Sequence, residues 1–167
     1  MRYTSVAVAA TLAMVSISTS LHGQRPDDQI DAKSLALLQQ GKAARAAGNV
    51  DGAIGLLESA AAVDPRNRQA FIERAEISER QGLPGKAIRL YREALLLEPN
   101  DIEALSGQGQ ALVTKGAVAR AKENLAKVKA LCKTTCSQAT TLAASIAKGP
   151  PVSTAQLTPP TSVPAKN

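Results

Sequence analysis

Residues 48–53 read GNVDGA, residues 82–87 read GLPGKA and residues 116–121 read GAVARA. A glycine, and five residues later an alanine, therefore recur at a spacing of 34: Gly48 with Ala53, Gly82 with Ala87, Gly116 with Ala121. Pro65 and Pro99 keep the same step, each just after one apolar run and just before the next. A period of this length marks a two-helix unit used several times over.

Glycine at positions 48, 82 and 116 can adopt the left-handed conformation that closes a first helix, and Pro65 and Pro99 stop the second. Each unit reads as helix, short turn, helix. Helices of about 13 residues are roughly 20 Å long and marginal alone, so stability has to come from stacking each unit on its neighbour. Three units are close to the minimum that can do this.

Segments 34–67, 68–101 and 102–135 align column by column. A bulky position holds Leu37, Phe71 and Leu105, and a small one four residues on holds Gly41, Ala75 and Gly109. Leu57, Tyr91 and Leu125 follow the shared alanine, with Ala60, Ala94 and Val128 after them. Small side chains let antiparallel helices approach closely, and the bulky ones fill the gaps beside them. The columns resemble the tetratricopeptide repeat family over about 100 of the 167 residues. Departures are Gln40, Arg74 and Gln108 at the family's leucine, Ala44, Ser78 and Leu112 at its tyrosine, and Lys133 at its last proline, which makes the third unit look terminal. The resemblance implies an all-α fold, a right-handed superhelical array of three helix-turn-helix units plus a C-terminal capping helix.

The ends of the chain carry other signals. Residues 1–23 hold one basic residue, Arg2, an uncharged run over 6–17 and then Ser18, Thr19 and Ser20, which reads as a secretory signal peptide cleaved after Ser20 or Gly23. The run is short of the roughly 20 apolar residues that span a bilayer. A linker follows at 24–33. At the other end, residues 150–167 carry five prolines, no acidic residue and one lysine, the composition of a disordered tail. The expected setting is periplasmic or secreted.

Export permits a disulfide between Cys132 and Cys136. Thr135 with Gln138 resembles a capping box that would start a helix over 136–148, so the bridge would pin a turn. That helix groups Ala139, Leu142, Ala143 and Ile146 on one side and would cap the open apolar face of the last unit. A structural staple is the first reading of the pair. Redox use departs from the usual two-residue spacing, and a metal site lacks further ligands nearby.

Catalytic chemistry is scarce. His22 is the one histidine and lies beside the cleavage region, so the folded part holds no Ser-His-Asp or Cys-His arrangement, no phosphate loop, and no call for a cofactor or metal. Glu73, Glu76 and Glu79 sit at helical spacing near Arg74 and Arg80 and read as an exposed charged surface. Trp is absent and the aromatics are Tyr3, Phe71 and Tyr91, too few to offer stacking platforms to single-stranded nucleic acid. The net charge of +6 is concentrated at Lys115, Arg120, Lys122, Lys127, Lys129 and Lys133, which face only Glu123. They form either a solvated helix face or a peripheral contact for an anionic membrane or acidic partner.

The resemblance also implies a concave groove lined by the first helix of each unit. The matching residues are Leu35, Leu38, Lys42 and Arg45, then Gln69, Ile72, Glu76 and Glu79, then Glu103, Ser106, Gln110 and Val113. Leu38 and Ile72 are either exposed anchors for a partner or part of the packing beneath. Family members that grip an acidic C-terminal chaperone peptide use basic and amide residues at positions that here hold Leu38, Lys42, Glu73, Glu103 and Gly107, of which only Lys42 is basic. The expected function is a non-catalytic adaptor or scaffold of the cell envelope that binds another protein in this groove. The alternative is a structural protein that self-associates into oligomers.

Overall fold

The computed structural model describes residues 29–134 and 136–151. The signal peptide, the first part of the linker, Thr135 of the capping box and the tail from 152 onward lie outside the described residues.

Among the described residues seven helices follow one another: α1 Ala32–Ala46, α2 Val50–Val63, α3 Arg68–Arg80, α4 Pro84–Leu97, α5 Ile102–Thr114, α6 Val118–Leu131 and α7 Ser137–Lys148. The period read from the sequence is the period of the structure. First helices end at Ala46, Arg80 and Thr114, and second helices start at Val50, Pro84 and Val118. The three inner turns are built alike. Gly48, Gly82 and Gly116 have φ of 79°, 70° and 79°. In each turn the glycine N–H returns to a carbonyl three residues back, and the next N–H reaches five residues back, as Asn49 to Ala44 at 2.9 Å, Leu83 to Ser78 at 2.8 Å and Ala117 to Leu112 at 2.8 Å. This paired closure needs a residue with positive φ, which glycine supplies at least cost.

Three helix starts carry a side-chain cap, whereas Asn67 at the start of α3 makes none and donates its amide to Ser34. Asp31 accepts from the amides of Lys33 and Ser34, Asn49 from Gly52, and Asp101 from Ala104. Pro84 opens α4, where its missing N–H costs nothing. α6 ends at Leu131 in register with Val63 and Leu97 although Lys133 stands in the proline slot, so proline is not required for the stop. α7 begins one residue later than expected. Cys136 is its N-cap and makes no side-chain cap bond, while Gln138 accepts from Ser137 Oγ at 3.2 Å.

Helices pack pairwise as α1/α2, α3/α4 and α5/α6, each pair stacks on the next, and α7 closes the array against α5 and α6. Ala53, Leu57, Ala60 and Ala70 fill the first layer; Ile72, Ala75, Ala87 and Tyr91 fill the second; Leu112 and Ala121 belong to the third. Glycine makes the closest approaches possible. A Cβ on Gly41 would lie 2.8 Å from Leu57 Cγ, and one on Gly109 would lie 2.7 Å from Leu142 of the cap. Leu142 is fully buried, as the cap expectation requires.

Buried polar groups are used as ties. Ser34 Oγ donates to Ala60 O at 2.7 Å and accepts from Asn67 Nδ2 at 2.8 Å. Asn124 Nδ2 donates to Leu105 O and Gln108 Oε1, joining α6 to α5. Asp64, at the end of α2, accepts from the Asp31 amide at 2.9 Å and from the Arg66 side chain, so the entry to α1 is tied to the first inter-unit turn. These bonds hold the Asp64 carboxyl far below its usual range, the Arg66 side chain contributing most. No described helix is long and apolar enough to cross a membrane.

Candidate functional site

α1, α3, α5 and α7 lie side by side along one face, and the twelve residues expected in the groove divide by column on it. The outermost column, Leu35, Gln69 and Glu103, is exposed or half-buried, as are Lys42, Glu76 and Gln110. The column between them is not available. Leu38 and Ile72 are 4% and 0% exposed and belong to the core layers, and Ser106 is buried in the same column. Leu38 and Ile72 are packing residues and not exposed anchors, while Ser106 edges the recess described below. Val113 is buried too, while Arg45 and Glu79 at its column positions are half-buried.

The glutamates of α3 are a second correction. Glu73 is buried, with Arg45 against it and Lys42 Nζ 3.4 Å away. Arg45 also meets Glu76 at 2.6 Å, and Arg80 approaches Glu76 at 3.3 Å from one turn further on. The α1/α3 junction is thus a closed network of three cations and two carboxylates. It was hidden in the sequence because Arg45 and Glu73 belong to different units.

The α3/α5 junction is built differently. Tyr91 reaches from α4 to this face and donates its hydroxyl to Glu79 Oε2 at 3.0 Å. It can pass because position 107 has no side chain: a Cβ there would lie 2.3 Å from Tyr91 Cζ. Among the described residues, Glu103 accepts a hydrogen bond from the Gln69 amide alone, at 3.5 Å. Glu79 is pushed up to about 7, first by burial and then by the charge of Glu76, against the Tyr91 hydrogen bond and Arg80. Glu103 is also raised, chiefly by burial, with Glu76, Asp101 and Glu73 adding to it. Burial and the charge of Glu79 raise the Tyr91 phenol in turn.

Between these groups is a recess of about 380 Å³ lined by Glu76, Glu79, Arg80, Tyr91, Glu103, Ser106, Gly107, Gln110 and Gln138. A second recess, of about 700 Å³, adjoins it through Glu79, Arg80 and Gln110 and runs to Lys148, Pro150 and Pro151. Tyr91 was not among the expected groove residues, and Gly107 was named only as a position where peptide-gripping family members carry a basic or amide side chain. The column Gln39, Glu73, Gly107 carried a signal, since only its third member is small enough to leave a gap.

Cys132 and Cys136 are joined as a disulfide with Cα atoms 6.1 Å apart, at the turn between α6 and α7. Among the described residues no group of His, Cys, Asp and Glu is arranged to hold a metal ion.

The sequence profile of the tetratricopeptide repeat matches residues 38–102 and 80–128, together more than half of the chain. The chain belongs to the tetratricopeptide repeat family. No curated protein sequence matches it. Solved structures share the fold at low identity. The first tetratricopeptide domain of Spaghetti (RPAP3), bound to the HSP90 peptide SRMEEVD, is 24% identical with a TM-score of 0.65, covering 71% of this chain and 94% of that one. The second such domain of human RPAP3, in complex with the HSP70 peptide SGPTIEEVD, is 22% identical with a TM-score of 0.63, covering 69% and 95%. The Sgt2 domain of Aspergillus fumigatus is 21% identical with a TM-score of 0.66, covering 87% and 96%.

Proposed function

We propose that this tetratricopeptide repeat protein is a non-catalytic adaptor that holds a segment of another protein against the face formed by α1, α3 and α5. The observation that carries this is the open recess over Tyr91 and Gly107, which adjoins a second recess reaching the cap. A recess of this size, open to solvent, leaves room for a partner's side chain. Domains of the same fold bound to chaperone peptides support the reading. The acidic ends of those peptides do not suit this chain, whose recess carries Glu76, Glu79 and Glu103. Export to the periplasm or beyond, read from residues 1–23, is part of the proposal and is checked by N-terminal sequencing of the protein recovered outside the cytoplasm.

The adaptor role is tested by capture from native extract with the wild-type protein and with Gln110→Arg, after equal helicity is shown by circular dichroism. A partner retained by the first and lost by the second is the expected result. Identical captures would contradict it.

Self-association has its own supporting observation. Leu35 and the last turn of α4, where Leu96 is 71% exposed beside Leu97, line a separate recess of about 680 Å³ at the edge of the array. Sedimentation of wild type against Leu96→Glu decides this reading: a mass that falls with the substitution favours it, and a monomer in both cases rejects it.

A further inference from the structure

The cations on the α1/α3/α5 face are unevenly distributed. Lys42, Arg45 and Arg80 all engage Glu73 or Glu76. Glu79 and Glu103 line the same recess, and their hydrogen bonds come from neutral donors, the Tyr91 hydroxyl and the Gln69 amide. The geometry holds this arrangement in place. Tyr91 is buried, its hydroxyl reaches the recess through the gap left by Gly107, and it fixes Glu79 there while leaving room above. Arg80 lines both recesses and Lys148 lines the adjoining one, so the excess of acidic over basic groups is confined to the recess at the α3/α5 junction.

The free volume is within the roughly 300–1,000 Å³ of sites that accept small groups. The recess lining carries three carboxylates, Glu76, Glu79 and Glu103, against one cation, Arg80, which already meets Glu76 at 3.3 Å, so an incoming cation offsets an excess of negative charge. We infer that the C-terminal half of the groove takes a partner segment bearing a lysine or arginine, whose charged head sits between Glu79 and Glu103 above Tyr91. This rests on the adaptor reading and specifies the chemistry of its partner. The side chain's aliphatic stem would cover the Tyr91 ring edge while its head makes charge-assisted hydrogen bonds.

The test is selection of random dodecapeptides on phage against the immobilised protein, followed by binding of the recovered peptides to wild type, to the double variant Glu79→Gln/Glu103→Gln, and to Gln110→Arg, which supplies the recess with a cation from the chain itself. Peptides sharing a lysine or arginine at one position are expected. Replacing that residue by glutamine should weaken binding about tenfold, the double variant should do the same, and the two losses should not add. Peptides that lose binding to Gln110→Arg but share no cation and ignore the double variant would overturn this inference and leave the adaptor reading standing. Peptides indifferent to every groove variant, or none recovered, would overturn both.

Discussion

The α1/α3 and α3/α5 junctions occupy equivalent places in the repeat and differ in how they settle their charge. At the first, Glu73 is buried under Arg45 and Lys42, so the face is sealed by the chain's own side chains. At the second, the residue one period after Glu73 is Gly107, and the space it leaves is shared by Tyr91, Glu79 and a recess. The same backbone therefore presents a finished surface in one half and an unfinished one in the other. Repeat architecture fixes where a groove can be, and single substitutions within a column decide which part of it is open.

Filling the gap should break the difference most strongly. Gly107→Ala recovers roughly 1 kcal/mol of helix propensity but drives a Cβ into the rigid Tyr91 ring, and overpacking costs about 1–3 kcal/mol, sometimes more. At 2.3 Å from a ring atom the overpacking falls at the upper end of that range, leaving a net loss of about 2 kcal/mol in urea unfolding, with loss of groove binding. Gly55→Ala, where nothing lies within 4 Å of the new Cβ, should be neutral or stabilising and serves as the control.

Opening the sealed half comes next. Glu73→Ala leaves Arg45 with Glu76 as its remaining partner, so the cost falls below the several kcal/mol of a fully uncompensated buried charge and is set at about 1.5 kcal/mol. Unfolding midpoints measure it, and an unchanged midpoint would mean the network does not seal the junction.

A smaller effect separates the halves by pH. Because Glu79 is raised to about 7, the folded state binds its proton more tightly than the unfolded chain does. Its contribution is fully present below the ordinary carboxylate pKa and is lost as pH rises through about 7. Glu76, Arg80, Tyr91 and Glu103 face the same recess, and Glu79→Gln should flatten this fall, gaining stability relative to wild type at about pH 8 but not at about pH 5. Asp64, lowered by Arg66, has the opposite sign: its contribution is present above the ordinary carboxylate range and disappears as pH falls below it.

The smallest effect on the groove is expected from reduction of Cys132–Cys136. The bridge pins the α6/α7 turn and touches neither junction, so stability should fall by at most about 2 kcal/mol while peptide binding stays within about twofold.

Much of this was legible in the residues. The 34-residue step located the helix ends, and Gly41 and Gly109 announced the close helix contacts that Leu57 and Leu142 make. What failed was rotation about the helix axis. Leu38, Ile72 and Ser106 share one column, and that column faces inward as a whole; the apolar character of its first two members pointed there, whereas Ser106 is buried by inheritance from its register. The Arg45–Glu73 pairing and the Tyr91–Glu79 bond join residues on different helices. Charge pattern along a single helix cannot reveal either one, and so the α3 glutamates looked like an ordinary solvated stripe.

The most direct measurement is amide chemical-shift mapping of the labelled protein titrated with a selected lysine-bearing peptide. The account predicts shifts concentrated at Glu79, Glu103, Gly107 and Gln110, with little change at Lys42 and Arg45. Shifts centred on Lys42 and Arg45, or on the basic outer face around Lys122 and Lys129, would contradict it.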